Sequence, residues 1–322
     1  KRLEQSRAQA TPEEQEVLSK YTGWGALQEV FDEGNERFAE EHAELKTILT
    51  EDEYETANDS VLTAYYTQPT VIKAMYNALE RFGFSGGKIL EPSMGIGNFY
   101  GCMPEELSEK SELVGVEIDN ISSAIAKQLY PNASINACGY EDTRFADNRF
   151  DVAIGNVPFG NYKVNDTRYN NHKFNIHDYF FAKTIDKVKP YGVVAFITSS
   201  GTMDKKDPRA REYISERAEF LGAIRLPNNA FKANAGTEVI SDIIFLQKRP
   251  SITAQHDEWC YTDYNADSLR VNNYFLKHPQ MICGEIGVRS GRFGDELDVK
   301  PYDNITLEMA LNTCVSDRKS VV

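Results

Sequence analysis

Three glycines, Gly95, Gly97 and Gly101, stand in the segment ILEPSMGIGNFYG, directly after an apolar run and at the opening of a helical pattern. Glycine there lets the backbone turn tightly and approach a ligand more closely than a side chain permits. The spacing is GxGxxxG, not the stricter dinucleotide fingerprint GxGxxG, so the loop alone is a weak signal, with a plain tight turn as its other reading. Neighbouring carboxylates give it chemistry. Glu117 ends the next apolar run, LVGVEID, twenty residues past Gly97, where it can accept both hydroxyls of a ribose. After a third run, INACGYEDTRF sets Asp142 to accept from an adenine amino group, with Phe145 at the same edge to cover the ring. Singly each carboxylate is an ordinary solvated loop residue. At successive strand ends beside a glycine loop, Glu91, Glu117 and Asp142 imply an adenosine-containing cofactor.

A fourth apolar run, FDVAI, leads into GNVPFG, residues 155–160. It ends in an amide (Asn156), a residue held extended by the proline after it (Val157, Pro158) and an aromatic ring (Phe159). Read only structurally, this is a strand closed by an Asn turn and a proline.

These groups need a sheet to hold them along one edge. Strands are expected at 88–90, 113–117, 134–137, 151–156, 192–199, 221–226 and 239–247, alternating with helical segments such as SSAIAKQLY, HDYFFAKTIDKVK and PRAREYISERAEF. The pattern predicts an α/β fold with a mostly parallel sheet. Before the seventh strand no room remains for a crossover helix, so that strand is expected to return antiparallel beside its predecessor. Residues 1–60 read as an acidic helical subdomain, opened by a Thr11-Pro-Glu-Glu cap and interrupted by TGWG, whose Trp24 is either a core plug or part of a contact surface. Residues 61–250 form the α/β domain, and 251–322 an appended segment with one helical hint at SLRVNNYFLKHP and a hairpin or loop over 284–294.

Of the 322 residues, 41% are hydrophobic and 26% charged, as in a globular protein. No run approaches the length of a membrane span, and the opening KRLEQSRAQATPEEQ has no secretory signal, so a cytoplasmic location is expected. That opening reads as the interior of a longer polypeptide. The five cysteines lie far apart with no metal-ligand spacing, and reduced thiols and no metal are expected. The formal charge of −14 disfavours a nucleic-acid partner only at first sight. Residues 1–60 hold 6 Lys or Arg and 16 Asp or Glu, a net of −10, which leaves −4 for all the rest.

Taken in order, YYTQP (65–69), EPSMGIGNF (91–99), VEID (116–119), YEDTRF (140–145) and NVPF (156–159) resemble the motif series of the N6-adenine DNA methyltransferases. Their order is similar to that in the modification subunits of type I restriction systems, and residues 225–248 resemble the closing strands of those subunits. The GWG element and VNNYF...HPQMICG, 271–284, look like the methylase region of very large helicase-methyltransferase polypeptides of phages and conjugative elements. The resemblance covers about 65–250.

It implies a Rossmann-like S-adenosylmethionine-dependent methyltransferase fold. It also implies a site-specific, adenine-specific DNA methyltransferase. Tyr66, Thr67 and the loop of Glu91, Pro92, Gly95, Gly97, Asn98 and Phe99 would hold the methionine part of S-adenosylmethionine. Glu117 would take the ribose, Ile118 and Phe145 the adenine faces, and Asp142, beside Thr143, its amino group. Asn156 and the Val157 carbonyl would accept from the target amino group, Pro158 would fix the turn, and Phe159 would stack on an extruded base. DNA is the implied partner, together with a specificity subunit or covalently linked helicase and recognition domains, and no membrane.

An exocyclic amino group is a poor nucleophile because its lone pair is delocalised into the ring. Two acceptors on its hydrogens pull the nitrogen toward tetrahedral geometry and free that pair, so orientation and preorganised polar groups would carry most of the rate. The chain departs from the common pattern at Val157, where proline is usual, at Glu91, where aspartate is usual, and at Met94, where the residue is smaller. Beyond the tetrapeptide, residues 161–177 interleave Lys163, Arg168 and Lys173 with Tyr162, Tyr169 and Phe174, which suits phosphate contact and base stacking. Lys205, Lys206, Arg209 and Arg211 form a second basic group, either phosphate-binding or simply solvated. His172 and His177 read as surface or hydrogen-bonding residues.

Three other readings stay open: a cytosine N4 methyltransferase using the same acceptor geometry, a catalytically inactive methyltransferase fold serving as a DNA-binding or structural module, and an NAD-dependent dehydrogenase. The last is weakened by GxGxxxG and by the lack of a placed base.

Overall fold

The computed structural model describes residues 2–6, 8–61, 67–231, 239–291 and 294–316. Tyr66, expected at the cofactor, lies outside the described residues.

Seven strands form the central sheet: β1 Gly87–Glu91, β2 Ser111–Glu117, β3 Ser134–Ala137, β4 Phe150–Asn156, β5 Val188–Ser199, β6 Ala218–Leu226 and β7 Ser241–Lys248. Their order is β3-β2-β1-β4-β5-β7-β6. β1 to β5 pair parallel, and β7 runs antiparallel to both β5 and β6. The link after β6, residues 227–240, is short for a crossover helix with a turn at each end, which agrees with that reversal. β7 does more than lie beside its predecessor: it inserts between β5 and β6, and its Ile243 to Leu246 are fully buried there.

The strand order reverses between β1 and β4, which pair through Ile89 with Val152 and Leu90 with Ala153. In open α/β sheets ligands bind in the crevice at the carboxyl ends of strands flanking such a switch point. Glu91 and Asn156 end those two strands.

Helices cover both faces, which is why β4 and β5 read as continuous apolar runs. Helix Pro69–Arg81 buries Val71, Ile72, Met75, Tyr76 and Leu79, one stripe at helical spacing. Helix Ile176–Lys187 is buried almost all round, so its apolar and polar residues both pack inside.

The amino-terminal segment has its own small core of Phe31, Leu49, Ala57 and Val61, with Trp24, Leu45 and Tyr54 packed against it. Trp24 meets Phe31 edge-on at 5.7 Å, so of the two readings of TGWG the ring is the core plug. The Thr11 capping box is present. This small core borrows Ile121 from helix Asn120–Leu129, and Gln128 of the same helix accepts from Gln9, Ala10 and Gln15. The segment is thereby fastened beside the carboxyl end of β2.

Residues beyond 250 pack into the main core through Trp259, Val271, Phe275, Ile282 and Leu311. The stretch around 284–294 is a hairpin, Glu285–Gly291 against Gly294–Lys300. A helix that the sequence left unread, Leu307–Ser316, packs on helix Pro69–Arg81, whose Arg81 donates to the Val315 and Ser316 carbonyls. Among the described residues no helix is long and apolar enough to cross a membrane.

Candidate active site

The loop after β1 is stitched to both neighbouring strands. Gly95 and Gly97 sit at φ 55° and 89°, the left-handed region that favours glycine. A Cβ on Gly97 would stand 2.5 Å from the Tyr130 ring, so glycine is needed there on both counts. Met94 N–H donates to the Val116 carbonyl of β2, and Gly95 N–H donates to Glu117 Oε2 at 2.7 Å. On the other side Ser93 Oγ donates to the Asn156 carbonyl of β4 at 2.7 Å. The glycine loop, the ribose-type carboxylate and the main chain at Asn156 therefore form one hydrogen-bonded unit.

A cavity of about 960 Å³ opens on this unit. Thr67, Glu91, Pro92, Gly95, Asn98, Phe99, Glu117 and Ile118 line it from the cofactor side, and Asn156 and Pro158 from the end of β4. Six of its wall residues are carboxylic acids, Glu29, Asp32, Asp59, Glu91, Glu117 and Glu141, and none of the described wall residues is Lys, Arg or His. Such a wall suits a cation and opposes the pyrophosphate of a nicotinamide dinucleotide. Thr67 Oγ1 and Glu91 Oε2 are buried without a hydrogen-bond partner among the described residues. Buried polar atoms left so are costly unless a ligand answers them. S-adenosylmethionine, with a cationic sulfur, an ammonium group and a ribose, fits this donor and acceptor set.

Burial, with the Glu117 charge nearby, holds the Glu91 carboxyl well above the usual carboxylate range. Burial also pushes Glu117 up to about 7 from 4.5, against the pull of the Asp119 and Gly95 N–H groups. A carboxyl raised in this way binds its proton more tightly in the folded chain. Its contribution to stability is full below the unfolded value and is lost as pH rises through about 7, a change of about 3 kcal/mol for the ligand-free protein. Ribose hydroxyls favour the ionised form. Cofactor binding near pH 7 is therefore expected to release protons and to strengthen as pH rises from 6 to 8. Calorimetry in two buffers of different ionisation enthalpy measures the release directly; proton uptake would contradict it.

Several expected site residues stand elsewhere. Asp142 is exposed, and the short helical turn Tyr140–Asp142 turns its neighbour Glu141 onto the cavity wall instead. Thr143 donates its hydroxyl to the Tyr140 carbonyl. Phe145 packs edge-on against Phe150 at 5.3 Å, away from the wall. Gly97 shapes the loop without lining the cavity. Val157 is buried, its N–H donating to the Ile197 carbonyl, and Phe159 is half-buried against the main core. The aromatic side chains on the wall are Phe31, Phe99, Tyr140, Tyr162 and Phe180.

The basic residues expected at DNA divide likewise. Lys163, Lys173 and Lys206 are exposed. Arg168 pairs with Asp147 and with Asp186, and Tyr169, only 4% exposed, donates to Asp186 at 2.6 Å. A ring so buried cannot stack on a base, so the Tyr169 expectation is corrected: it anchors the loop. Lys205 pairs with Asp178, and Arg211 is buried, donating to the carbonyls of Cys260, Thr202 and Lys205. His172 stacks on Phe174 at 5.0 Å. His177 is buried and not on the surface, its pKa lowered by burial, and its Nε2 lies 3.6 Å from Asp178 Oδ1.

Sequence reading missed the amino-terminal contribution to the wall, from Glu29, Phe31, Asp32, Asn58, Asp59 and Val61. It also missed Lys183, buried, whose Nζ donates to the Tyr140 and Glu141 carbonyls and to Asp166 Oδ2. Lys183 thereby ties the loop after β3 to the loop beyond the tetrapeptide. The one available signal is a lysine within the apolar run YFFAKTI, residues 179–185.

The fold is shared with solved methyltransferases. A Listeria monocytogenes chain assigned to the class I S-adenosylmethionine-dependent methyltransferases matches with a TM-score of 0.50 and 17% identity, over 73% of this chain and 82% of that one. The type I restriction-modification methyltransferase subunit from Streptococcus thermophilus matches with a TM-score of 0.51 and 17% identity, over 66% of this chain and 52% of that one. Among curated proteins, the "Defense against restriction protein B" of Escherichia phage P1 is 28% identical over 199 residues. That alignment takes 60% of this chain and only 9% of the phage protein. The model of the Eco57I restriction-modification methylases matches residues 35–231, from the amino-terminal segment through the glycine loop and NVPF to the end of β6. With well over half its length matched, the chain belongs to the Eco57I restriction-modification methylase family.

Proposed function

We propose that the chain methylates the N6 amino group of adenine in DNA, on a base turned out of the duplex. The observation that carries this reading is the position of Asn156: its strand end opens on the same cavity as the glycine loop and Glu117, and Ser93 ties the two together. S-adenosylmethionine, when bound, supplies a methyl group on a positively charged sulfur.

The chain's own residues do the rest by binding and orientation. Glu117 accepts the ribose hydroxyls, and Thr67 and Glu91 answer polar groups of the methionine part. The Asn156 carboxamide oxygen and the Val157 carbonyl accept from the hydrogens of the target amino group, holding its lone pair free of the ring. Pro158 keeps Val157 extended, so valine in place of the usual proline costs rigidity and leaves the acceptor in place. The amino nitrogen would attack the methyl carbon directly as the bond from that carbon to sulfur breaks, S-adenosylhomocysteine leaving and the surplus amino proton passing to solvent, with no covalent adduct of the enzyme. Pro158, Tyr162 and Val164 give the cavity a surface on which a base can rest, with exposed Lys163, Lys173 and Lys206 for phosphates.

We further read residues 1–60 as a subdomain over the cofactor, 61–250 as the catalytic domain and 251–322 as an appended segment. The phage protein's length suggests that this methylase works within a longer polypeptide or beside a partner that selects the DNA sequence.

Incubation with labelled S-adenosylmethionine and unmethylated duplex DNA, followed by nucleoside analysis, tests the assignment. N6-methyladenine is the expected product. N4-methylcytosine would move the target, and bound cofactor with no labelled nucleoside would favour the inactive module.

A further inference from the structure

Half of the carboxyl groups on the cavity wall come from a segment that no step above uses. Glu29, Asp32 and Asp59 belong to the amino-terminal segment, whose small core holds them over the site through Ile121 and Gln128. The charge of one of them, Asp59, is felt by another wall residue: burial, Glu141 and Asp59 together push the Tyr162 phenol up to about 12. Independently, two polar side chains on the same wall, Thr67 at 4% and Glu91 at 1% exposed, carry the buried oxygens that lack partners among the described residues. The cavity is thus built for a ligand, and its sign of charge is set partly from above.

We propose that the amino-terminal segment is a charge-selective wall of the cofactor site, in which Glu29, Asp32 and Asp59 favour cationic S-adenosylmethionine over its neutral-sulfur product, S-adenosylhomocysteine. The inference rests on the methyltransferase reading. Substrate and product differ by one positive charge and one methyl group, so a pocket shaped for one admits the other, and charge is the property that separates them. Product that binds less tightly leaves sooner and inhibits less. The three side chains are solvent-exposed, so each acts weakly and is screened by salt, and the effect is a sum of three.

The test compares the wild-type chain with the triple variant Glu29→Gln, Asp32→Asn, Asp59→Asn. Asparagine at 32 keeps an oxygen for the Gly34 N–H, so the turn is preserved. A control, Glu40→Gln, Glu41→Gln, Glu44→Gln, removes three exposed charges of the same segment that do not line the cavity. Affinities are measured at low and high salt for S-adenosylmethionine, for S-adenosylhomocysteine and for sinefungin, in which an amine replaces the sulfonium. In the triple variant, binding of the two cationic ligands is expected to fall roughly tenfold at low salt, with a smaller loss at high salt. Binding of the neutral product is expected to change less than about twofold, and the control to match wild type. Equal losses for all three ligands, no loss for any, or the same loss in the control would overturn the proposal. Those outcomes leave the methyltransferase reading standing. If the wild-type chain bound none of the three ligands, both would fall.

Discussion

Replacing Asn156 by alanine is expected to lower the turnover of methyl transfer by about 10³-fold while leaving cofactor affinity within about twofold of wild type. The expectation follows from which groups the side chain serves. In the proposed reaction the amide serves the target nitrogen, and a preorganised polar group aimed at a reacting centre is worth two to three orders of magnitude. The groups proposed to hold the cofactor, Thr67, Glu91, Gly95 and Glu117, sit on a loop tied to β4 through the Asn156 main-chain carbonyl, which the substitution keeps. Asn156→Asp keeps acceptor oxygens at the same place and is expected to retain more activity than the alanine variant. Single-turnover kinetics with separate cofactor titration make the split visible. Equal loss of cofactor binding and turnover would mean that Asn156 is structural.

The second large effect concerns stability. Arg225 is fully buried on β6 and pairs in two-pronged fashion with Asp242 of β7, both contacts at 2.8 Å, and with Asp204 at 2.8 Å. Its guanidinium also lies 4.3 Å from the centre of the Phe275 ring, and Asp204 in turn accepts from the Asn272 N–H. One arginine therefore joins the reversed strand to the segment beyond residue 250. Arg225→Met leaves two carboxylates buried or nearly so with no cation, and is expected to destabilise the protein by about 3–5 kcal/mol. Adding Asp242→Leu to that variant is expected to restore part of the loss, since an apolar pair in place of a buried ion pair is often nearly neutral. Chemical denaturation of both variants measures this. A loss under about 1 kcal/mol for the single variant would place the network among ordinary surface pairs.

What the sequence made legible was local. The inner strands of the sheet are visible as apolar runs, because strands covered on both faces carry no polar alternation; the edge strand β3, SINA, is half exposed and has no such run. The carboxyl ends were visible because a glycine loop, Glu117 and NVPF each follow such a run directly. The reversal of β7 is expected because its connection leaves little room for a crossover helix with a turn at each end.

What stayed hidden depends on partners distant in sequence. Nothing in NYKVNDTRY reveals that Arg168 and Tyr169 are spent on Asp147 and Asp186, so both looked available for DNA. Choosing Asp142 over Glu141 required the phase of a single helical turn, which two adjacent acids do not disclose. The insertion of β7 between β5 and β6 is a choice between two edges that the same apolar run satisfies equally. The acidity of residues 1–60 was plain, yet its place on the cavity wall depends on the docking of Ile121 and Gln128, which composition does not encode.

The central claim is that one cavity joins the cofactor residues of the first two strands to the amide at the end of the fourth. The most direct measurement is a crystal structure of the chain with sinefungin. The account predicts the ribose on Glu117, the ligand's amine facing the Asn156 side of the cavity, and the amino-terminal carboxylates above it. Sinefungin bound elsewhere, or bound with Asn156 shut away from it by packed protein, would contradict the account.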